Sequence, residues 1–383
     1  FETAKFNEPF TSSTGQLLMS SSGQLHRTSG VDYMPEQVAS MDQSGLPIFN
    51  QNWWINVARG ASEYRKLTVI HGDVVVGQLP FVLLRGRLGL LRGQDPHWSH
   101  LGGPIVDQRL SRTEQAEVIR SLIEQLPRWA SFCFVCNPEL SYADLVRSAF
   151  KQSGFDHATQ ITYLRHPSDG DVLNARKSKH KGHFKRAAKE LECVDVSAKE
   201  FVQFFAANLK AREKTSYSPL ETMTALIDEA ISRGQARAIA AKRVSRCQSP
   251  NHDRSALYDA AIVYVWDKTR CYYWLSTHRS ASKDNSEAKP HPDATKLLVM
   301  NAMENAQAMG LIFDADGVST PGADNLYRNM FGLRIEQSRD VFLRATILEW
   351  FRQKYQRQFR MLIPSYSLRA SVIGNNAEKP PLS

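Results

Sequence analysis

The segment 271–345 constrains the fold of this chain more than any other part, because its elements follow one another without interruption. Its apolar and turn-forming residues predict, in order, a strand at 271–277, a polar loop, a helix at 293–309, a strand at 311–315, a short helix at 323–330 and a closing strand. The loop leads into the N-terminus of the long helix, and such an end favours anionic groups. We therefore expect the active site at this junction.

The first half of the chain repeats this order of elements. Two strands and a loop are followed by a helix that begins with a capping-box pattern at Ser111, then by a strand, a helix and a last strand. Aligning Phe132 with Ile312 gives an offset of 180 residues, and aligning Gly154 with Gly332 gives an offset of 178. A near-constant offset at two separate landmarks predicts two domains of one topology.

The predicted fold class is mixed α/β (α+β), with sheets that are mixed but mostly antiparallel and that are flanked by helices. The two ends of the chain are rich in small and polar residues and have little apolar pattern. The predicted boundaries are a poorly ordered lead-in at 1–30, an N-terminal domain at 31–170, a C-terminal catalytic domain at 171–363 and a tail at 364–383.

Size, charge and cysteine content limit the class of protein. None of the apolar runs in the 383 residues approaches the length of about 20 residues that a membrane span needs. Five cysteines are few and odd in number, which favours a reducing, cytoplasmic location over a disulfide framework. A net charge of +9 indicates a polyanionic partner, such as a phosphorylated cofactor, a tRNA or an acidic surface, and does not choose among them.

A basic segment opens the second half of the chain. Between Asn174 and Lys189 there are seven cationic residues and no acidic one. Such a cluster can hold phosphates, although it can equally be a solvated basic face or part of a non-catalytic RNA-binding surface. The candidate polyanion-binding residues are Arg176, Lys177, Lys179, Lys181 and Arg186.

Two carboxylates follow the predicted buried strand at 311–315. Alternation along a strand directs Asp314 and Asp316 to the same face, where one of them could take a proton from an attacking ammonium group. A simple turn at Asp316 is the plainer interpretation. The same Asp-x-Asp pattern could hold a divalent metal in a nucleotide-sugar glycosyltransferase, but the strands before it are joined by short loops and predict an antiparallel meander.

Three stretches resemble a known group of proteins: the basic segment 173–190, the helix and strand at 293–316, and the sequence YRNMFG at 327–332. They are similar to the tandem GNAT-fold acyltransferases, which include the Fem-type peptidoglycan aminoacyl transferases and acetyltransferase-like proteins of polysaccharide and lipid biosynthesis. The chain departs from the pattern at Arg328, where a lysine is usual, and at Asp314-Ala-Asp316-Gly317. It also lacks a long heptad insertion.

The resemblance implies two tandem GNAT-like domains and an N-acyltransferase. The donor would be an acyl-CoA-type thioester and no metal would be needed; the acceptor would be the amine of a sugar, amino acid or peptide in envelope or polysaccharide biosynthesis. The missing insertion favours acyl-CoA over an aminoacyl-tRNA donor, which stays open, and the state would be monomer or homodimer. Asp314 or Asp316 would be the base and Tyr327 the acid. The candidate donor-binding residues are His291, Asp293, Ala294, Thr295, Lys296 and Arg328.

Overall fold

The computed structural model gives the strands and helices of most of the chain. It describes residues 26–29, 41, 45–60, 63–86, 89–172, 178–216, 218–244, 258–279, 289–317 and 325–347. The strands are β1 (His26–Ser29), β2 (Glu63–His71), β3 (Val74–Arg85), β4 (Leu91–Gln94), β5 (Ile105–Val106), β6 (Ser131–Cys136), β7 (Asp156–Arg165), β8 (Leu191–Asp195), β9 (Ala236–Arg243), β10 (Tyr258–Trp266), β11 (Arg270–His278), β12 (Ile312–Gly317) and β13 (Arg334–Arg344). The helices are α1 (Asn52–Ala58), α2 (Arg112–Glu124), α3 (Ala143–Gln152), α4 (Ser178–Glu190), α5 (Ala198–Ala211), α6 (Leu220–Ser232) and α7 (Ala294–Ala308).

Within these residues all the strands belong to one 13-stranded sheet, in the order β1-β2-β3-β4-β6-β13-β7-β12-β11-β10-β9-β8, with β5 paired to β3. The strands of the two halves occupy equivalent places when the sheet is followed inwards from its two edges. From one edge the order is β1, β2, β3, β4, β6 and β13, and from the other it is β8, β9, β10, β11, β12 and β7. Two parallel pairs, β4 with β6 and β11 with β12, occupy matching places, and the remaining pairs are antiparallel. The mixed, mostly antiparallel fold and the repeated order of elements are therefore as the sequence predicts. We call the part before 173 the N-terminal half and the part from 178 the C-terminal half.

The two halves exchange their last strands. Strand β13, at the end of the C-terminal half, pairs with β6 of the N-terminal half, and β7, at the end of the N-terminal half, pairs with β12. The two ladders match in detail, because Arg344 lies opposite Phe132 and Arg165 lies opposite Phe313. Strands β7 and β13 also pair with each other at the centre of the sheet. The order of elements did not predict this exchange, and domain boundaries near residue 170 stay a prediction.

Apolar side chains are buried on both faces of the sheet. On β6, Phe132 and Phe134 belong to the core beneath α2 and α3, while Val135, the next residue along the strand, belongs to the core that α1, α5 and α6 cover. A third cluster of buried side chains joins α4 and α7 to β10, β11 and β12. Alternation along the strands therefore sets which helix covers each residue.

Local signals in the sequence account for the ends of several helices. The Ser111 side chain accepts from the Glu114 amide and Glu114 returns the bond, so the predicted capping box at the start of α2 is present. Helix α7 ends at Ala308, and Gly310 adopts the positive φ of 70° that a helix C-terminus favours. In the described ranges none of the helices combines the length and the apolar character that crossing a bilayer requires.

Candidate active site

Strands β11 and β12 separate partway along their length. Their parallel ladder joins Arg270–Tyr272 to Ile312–Asp314, although β11 continues to His278 and β12 to Gly317. Beyond Tyr272 and Asp314 the two backbones therefore have no ladder between them. We call this region the β11–β12 gap; it lies at the carboxyl ends of two parallel strands, where ligand sites commonly form in α/β proteins.

The matching gap in the N-terminal half is closed by a loop. Strands β4 and β6 are paired up to Gln94 and Cys133. Beyond them, the buried Asp95 carboxylate accepts from the Val135 amide at 2.8 Å, and the Gly102 amide donates to the Val135 carbonyl at 2.7 Å. In the C-terminal half the amide at the position of Val135 is that of Asp316, and it donates to Oδ1 of Asp314 on the same strand at 2.9 Å. The described residues thus bridge only the β4–β6 gap.

Asp314 is enclosed by two arginines. Its side chain is 2% exposed, and its carboxylate lies 3.1 Å from Nη1 of Arg270 and 3.7 Å from Nη2 of Arg339. Burial raises the pKa of the Asp314 carboxyl, although the charges of Arg339 and Arg270 act to lower it. Arg270 also pairs with Glu139 from the N-terminal half. A carboxylate enclosed in this way lies at the junction of the halves and is poorly placed to meet an acceptor.

Asp316 is the more accessible of the two predicted carboxylates. The β12–β7 register shifts between Asp314 and Gly317, and Asp316 within this bulge has a φ of 66°. Its side chain is 32% exposed, with Oδ1 paired to Arg339 and Oδ2 lying 3.5 Å from Nδ1 of His100. Asp316 therefore lies at the end of the β11–β12 gap. One of its carboxylate oxygens contacts Arg339 of the C-terminal half, and the other lies near His100 of the N-terminal half.

Tyr327 lies in a single π-helical turn, Asn325–Met330, next to the same strand end. Its ring lies 5.5 Å from that of Tyr163 on β7. Burial, with smaller contributions from Tyr273 and Asp316, raises the pKa of the Tyr327 hydroxyl well above its usual value. The hydroxyl therefore keeps its proton at neutral pH and is a weaker acid than an exposed tyrosine. Arg328 on the same turn is exposed.

The predicted donor-binding junction lies at the N-terminus of α7. His291 is buried, and its Nδ1 accepts from the amide of Asp293 at 3.2 Å while Nε2 lies 2.9 Å from Glu190. Because an amide can only donate, Nδ1 carries no proton and Nε2 donates to Glu190. The imidazole of His291 thus holds the turn before α7 against the end of α4. Ala294 is buried, whereas Thr295 is partly exposed.

The structure brings the basic segment to this junction. The Asp293 carboxylate, 3% exposed, lies 2.6 Å from Nζ of Lys296, 3.4 Å from Nδ1 of His183 and 3.5 Å from Nη2 of Arg186. Burial acts to raise the pKa of Asp293, but the hydrogen bond and charge of Lys296, followed by those of His183, lower it overall. We call Lys296, Arg186, His183 and Asp293 the α7 cation cluster. Two sets of residues that are far apart in sequence thus meet at one helix end.

The other predicted basic residues are described only in part by the structure. Arg176 and Lys177 lie outside the described residues, and of Lys179 only the backbone is described. Lys181 is partly exposed, and Lys185 is exposed farther along α4.

The first turn of α7 differs from that of its counterpart α2. Asp293 makes no side-chain hydrogen bond to cap α7, whereas the capping box of Ser111 and Glu114 closes α2. Helix amides that the N-cap side chain does not cap can form a site for an anion when cations lie beside them. Both the strand gap and the helix end therefore favour the C-terminal half as the place where a ligand binds.

Sequence reasoning missed four side chains around the two carboxylates: His100, Glu139, Arg270 and Arg339. They come from four separate regions of the chain, and none belongs to a short motif. One available signal was the charge of Arg270 at the start of the largely apolar, buried strand β11.

Comparison with solved structures identifies the fold. FemX matches with a TM-score of 0.51 at 11% sequence identity, over 82% of this chain and 94% of FemX. The chain shares the fold of FemX. This confirms the tandem GNAT-like fold that the resemblance to Fem-type proteins implied.

Two looser matches have related descriptions. A tandem GNAT protein from the clavulanic acid biosynthesis pathway is 12% identical over 76% of this chain and 87% of its own, with a TM-score of 0.42. A GCN5-related N-acetyltransferase from Kribbella flavida is 14% identical over 73% of this chain and 59% of its own, with a TM-score of 0.33. Scores this low do not establish a shared fold. No family model matches the sequence, and none of the curated proteins matches it either.

Proposed function

We propose that this protein is an N-acyltransferase whose C-terminal half binds the acyl donor. The observation that carries the proposal is the difference between the two strand gaps. The N-terminal gap is closed by Asp95 and Gly102, whereas the β11–β12 gap has no such bridge among the described residues. An extended donor arm could enter between the two strands there, as an added strand pairs with a sheet edge. The FemX fold supports this assignment without fixing the substrate.

The donor in this proposal carries phosphate groups that the α7 cation cluster holds. Lys296 and Arg186 supply charge and hydrogen-bond donors beside the uncapped first turn of α7. An acyl-CoA fits this arrangement, since its thioester arm and its phosphates would occupy the gap and the helix end at once. Thr295 and Lys296 would offer their backbone amides to the phosphate, and Arg328 would face the same donor.

In the proposed reaction, the acceptor amine attacks the carbonyl carbon of the thioester and forms a tetrahedral intermediate. The carbon–sulfur bond then breaks and the thiolate leaves. Asp316 accepts the proton that the amine loses, which matters because a lysine-like amine has a pKa of about 10.4 and is mostly charged at neutral pH. Tyr327 donates a proton to the thiolate. Asp314 as the base stays an untested prediction, and its enclosure by Arg270 and Arg339 counts against it.

The acceptor enters, in this proposal, from the junction of the halves, where Asp316 faces His100. Its class is the amine of a sugar, an amino acid or a peptide, in envelope or polysaccharide biosynthesis. Cytoplasmic location and a monomeric or dimeric state also stay predictions.

An aminoacyl-tRNA is the second candidate for the donor. The exposed cations on α4, Lys185 and Lys189, extend the α7 cation cluster beyond what a small donor needs. A tRNA would contact such a surface through its phosphates, and its binding would weaken steeply with salt. This candidate uses the same gap and the same base.

A metal-dependent glycosyltransferase fits the structure less well. Asp314 of the Asp-x-Asp pattern is already paired with two arginines, so its carboxylate is a poor metal ligand. The strands before it, β9, β10 and β11, form the antiparallel meander that the sequence predicted. In the part of the chain that the structure describes, no three His, Cys, Asp or Glu side chains are grouped so that they could hold a metal ion.

Calorimetric titration with acetyl-CoA tests the proposal. Lys296→Met and Arg186→Met should each weaken binding about 10-fold or more, because each removes a charge-assisted hydrogen bond to phosphate. Lys151→Met, which removes an exposed lysine at the end of α3 in the N-terminal half, is the matched control and should bind as the wild type does. Parallel titrations use alanyl-tRNA and UDP-glucose with manganese. Binding of UDP-glucose alone, or acetyl-CoA and alanyl-tRNA binding that both Met variants leave unchanged, would overturn the proposal.

A further inference from the structure

His100, from the N-terminal half, contacts the carboxylate that serves as the base in the C-terminal half. Its Nδ1 lies 3.5 Å from Oδ2 of Asp316, and its side chain is 5% exposed. We infer that His100 is a positioning residue, which orients Asp316 for proton transfer, so that the active site is complete only when both halves contribute. The inference rests on the proposed function and adds to it a role for the half whose own strand gap is closed.

The loop that carries His100 is fixed to the C-terminal half through two hydrogen bonds of Trp98. The indole N–H of Trp98 donates to the Pro219 carbonyl at 2.9 Å, and the indole N–H of Trp274 donates to the Trp98 carbonyl at 2.8 Å. Ser99, the next residue, accepts from the indole of Trp54 at 3.0 Å. These bonds are buried or partly buried, so the loop cannot move relative to β11 without breaking them.

Aromatic contacts set the plane of the imidazole. The His100 ring stacks on Phe49, with centroids 5.3 Å apart and planes 24° from parallel. Phe49 in turn makes edge contacts with Trp54 at 5.0 Å and with Tyr272 at 4.9 Å. Tyr272 is the residue at which the β11–β12 ladder ends. The His100 ring therefore packs, through Phe49, against the residue of β11 at which the β11–β12 gap begins.

Asp316 has two anchors of different origin. Arg339, 2% exposed on the exchanged strand β13, pairs with Oδ1, and His100 approaches Oδ2. A carboxylate paired at Oδ1 and contacted at Oδ2 is restricted in rotation, and its side chain is still 32% exposed. Loss of the His100 contact frees the carboxylate to rotate about its terminal bond, and a misaligned base transfers protons more slowly.

Two substitutions separate the polar contact that His100 makes with Asp316 from its packing. His100→Asn keeps a polar amide near the position of Nδ1 and loses the ring stack on Phe49. His100→Phe keeps a flat ring against Phe49 and loses the polar contact. His166→Phe is the control, because His166 also faces a carboxylate, that of Glu336 at 2.9 Å, but lies outside the proposed site. Thermal melting of each variant shows whether it is folded.

The assay measures acyl transfer from acetyl-CoA, and in parallel from alanyl-tRNA, to two small amines. Glycinamide is largely protonated at neutral pH and needs a base, whereas hydroxylamine is uncharged and does not. With glycinamide, His100→Phe should lower kcat about 10- to 100-fold, part of what a general base typically contributes, with KM for the donor unchanged. His100→Asn should stay within about 5-fold of the wild type, and hydroxylamine should show little loss in any variant.

The outcomes distinguish the inference from the function on which it rests. Equal losses for the Asn and Phe variants, equal losses with both amines, or no loss with glycinamide would overturn the role of His100 while leaving the acyltransferase in place. Every rate is taken above the reaction without protein, because hydroxylamine attacks thioesters and aminoacyl esters unaided. A wild-type protein that does not accelerate transfer from either donor to either amine would overturn the proposed function itself.

Discussion

The carboxylate of Asp95 accepts a hydrogen bond at 2.8 Å from the backbone amide of Val135. Val135 lies on β6 just beyond its ladder with β4, so its amide would otherwise be unpaired in the interior. Asp95 also accepts from the Gly103 amide at 3.2 Å. The Asp95 side chain thus bridges the gap between β4 and β6 in the N-terminal half. The two halves share a topology but differ in the groups that occupy their strand gaps.

Replacing Asp95 with Ala should destabilise the protein by about 2–5 kcal/mol, because two buried amides lose their acceptor and each costs about 1–3 kcal/mol. Urea unfolding at neutral pH measures the change. Asp73→Ala is the control, since Asp73 is exposed on the turn between β2 and β3 and should change stability by less than about 0.5 kcal/mol. An Asp95 variant as stable as the control would show that the loop closes the gap by other contacts.

Gly102 should not tolerate a side chain. A Cβ atom there would lie 1.9 Å from Oδ1 of Asp95, so Gly102→Ala forces the loop away from β6 and should cost about 2 kcal/mol or more. Gly45→Ala provides the comparison, because a Cβ at Gly45 meets no atom within 4 Å. Equal urea midpoints for the two variants would contradict the tight packing of this loop.

The strand exchange predicts that neither half folds alone. A fragment of residues 1–170 lacks β13 and leaves β6 and β7 with unpaired edges, which favour aggregation. Expressed separately, fragments 1–170 and 171–383 should be insoluble or unfolded by circular dichroism, and expressed together they should copurify. A soluble 1–170 fragment that unfolds cooperatively would instead support independent domains.

Much of the fold could be predicted because its signals are local. The capping box at Ser111 and the helix end at Gly310 depend on residues close together in sequence. The near-constant offset compares landmarks of the two halves, each of which is itself a local pattern. The strand exchange left no such local signal, since a chain with exchanged last strands and one without have the same order of elements. The pairings of β13 with β6 and of β7 with β12 reveal it.

The candidate site was predictable in part, for the same reason. Asp316 and Lys296 follow recognisable elements, a buried strand and the start of a helix. His100 and Arg339 gain their roles from contacts between residues more than 200 positions apart or on an exchanged strand, which spacing does not encode. Asp314 and Asp316 look alike in sequence, and only the positions of the two arginines separate a buried ion pair from an accessible carboxylate.

Asp293 should make stability depend on pH in acid. Because its pKa is lowered in the folded protein, its carboxylate stabilises the fold above the ordinary value of about 3.9, and this contribution is lost as pH falls through the folded-state pKa. Asp293→Asn should therefore be less stable than the wild type at pH 7, and the difference should shrink below about pH 4. Urea unfolding from pH 7 to pH 3 measures it. A difference that stays constant with pH would mean that the charge of Asp293 contributes nothing.

The same substitution should strengthen the binding of an anion. In the wild type the Asp293 carboxylate is the counterion of Lys296, His183 and Arg186, so a phosphate must share these cations with it. Asp293→Asn removes that negative charge, and inorganic pyrophosphate should bind about 3- to 10-fold more tightly at low salt, since a nearby unit charge near a surface is worth about 1 kcal/mol. The gain should diminish as salt is added. Calorimetry with pyrophosphate tests this, with Asp73→Asn as the charge-matched control; weaker binding in the Asp293 variant would show that this carboxylate orients the cations for the phosphate instead of competing with it.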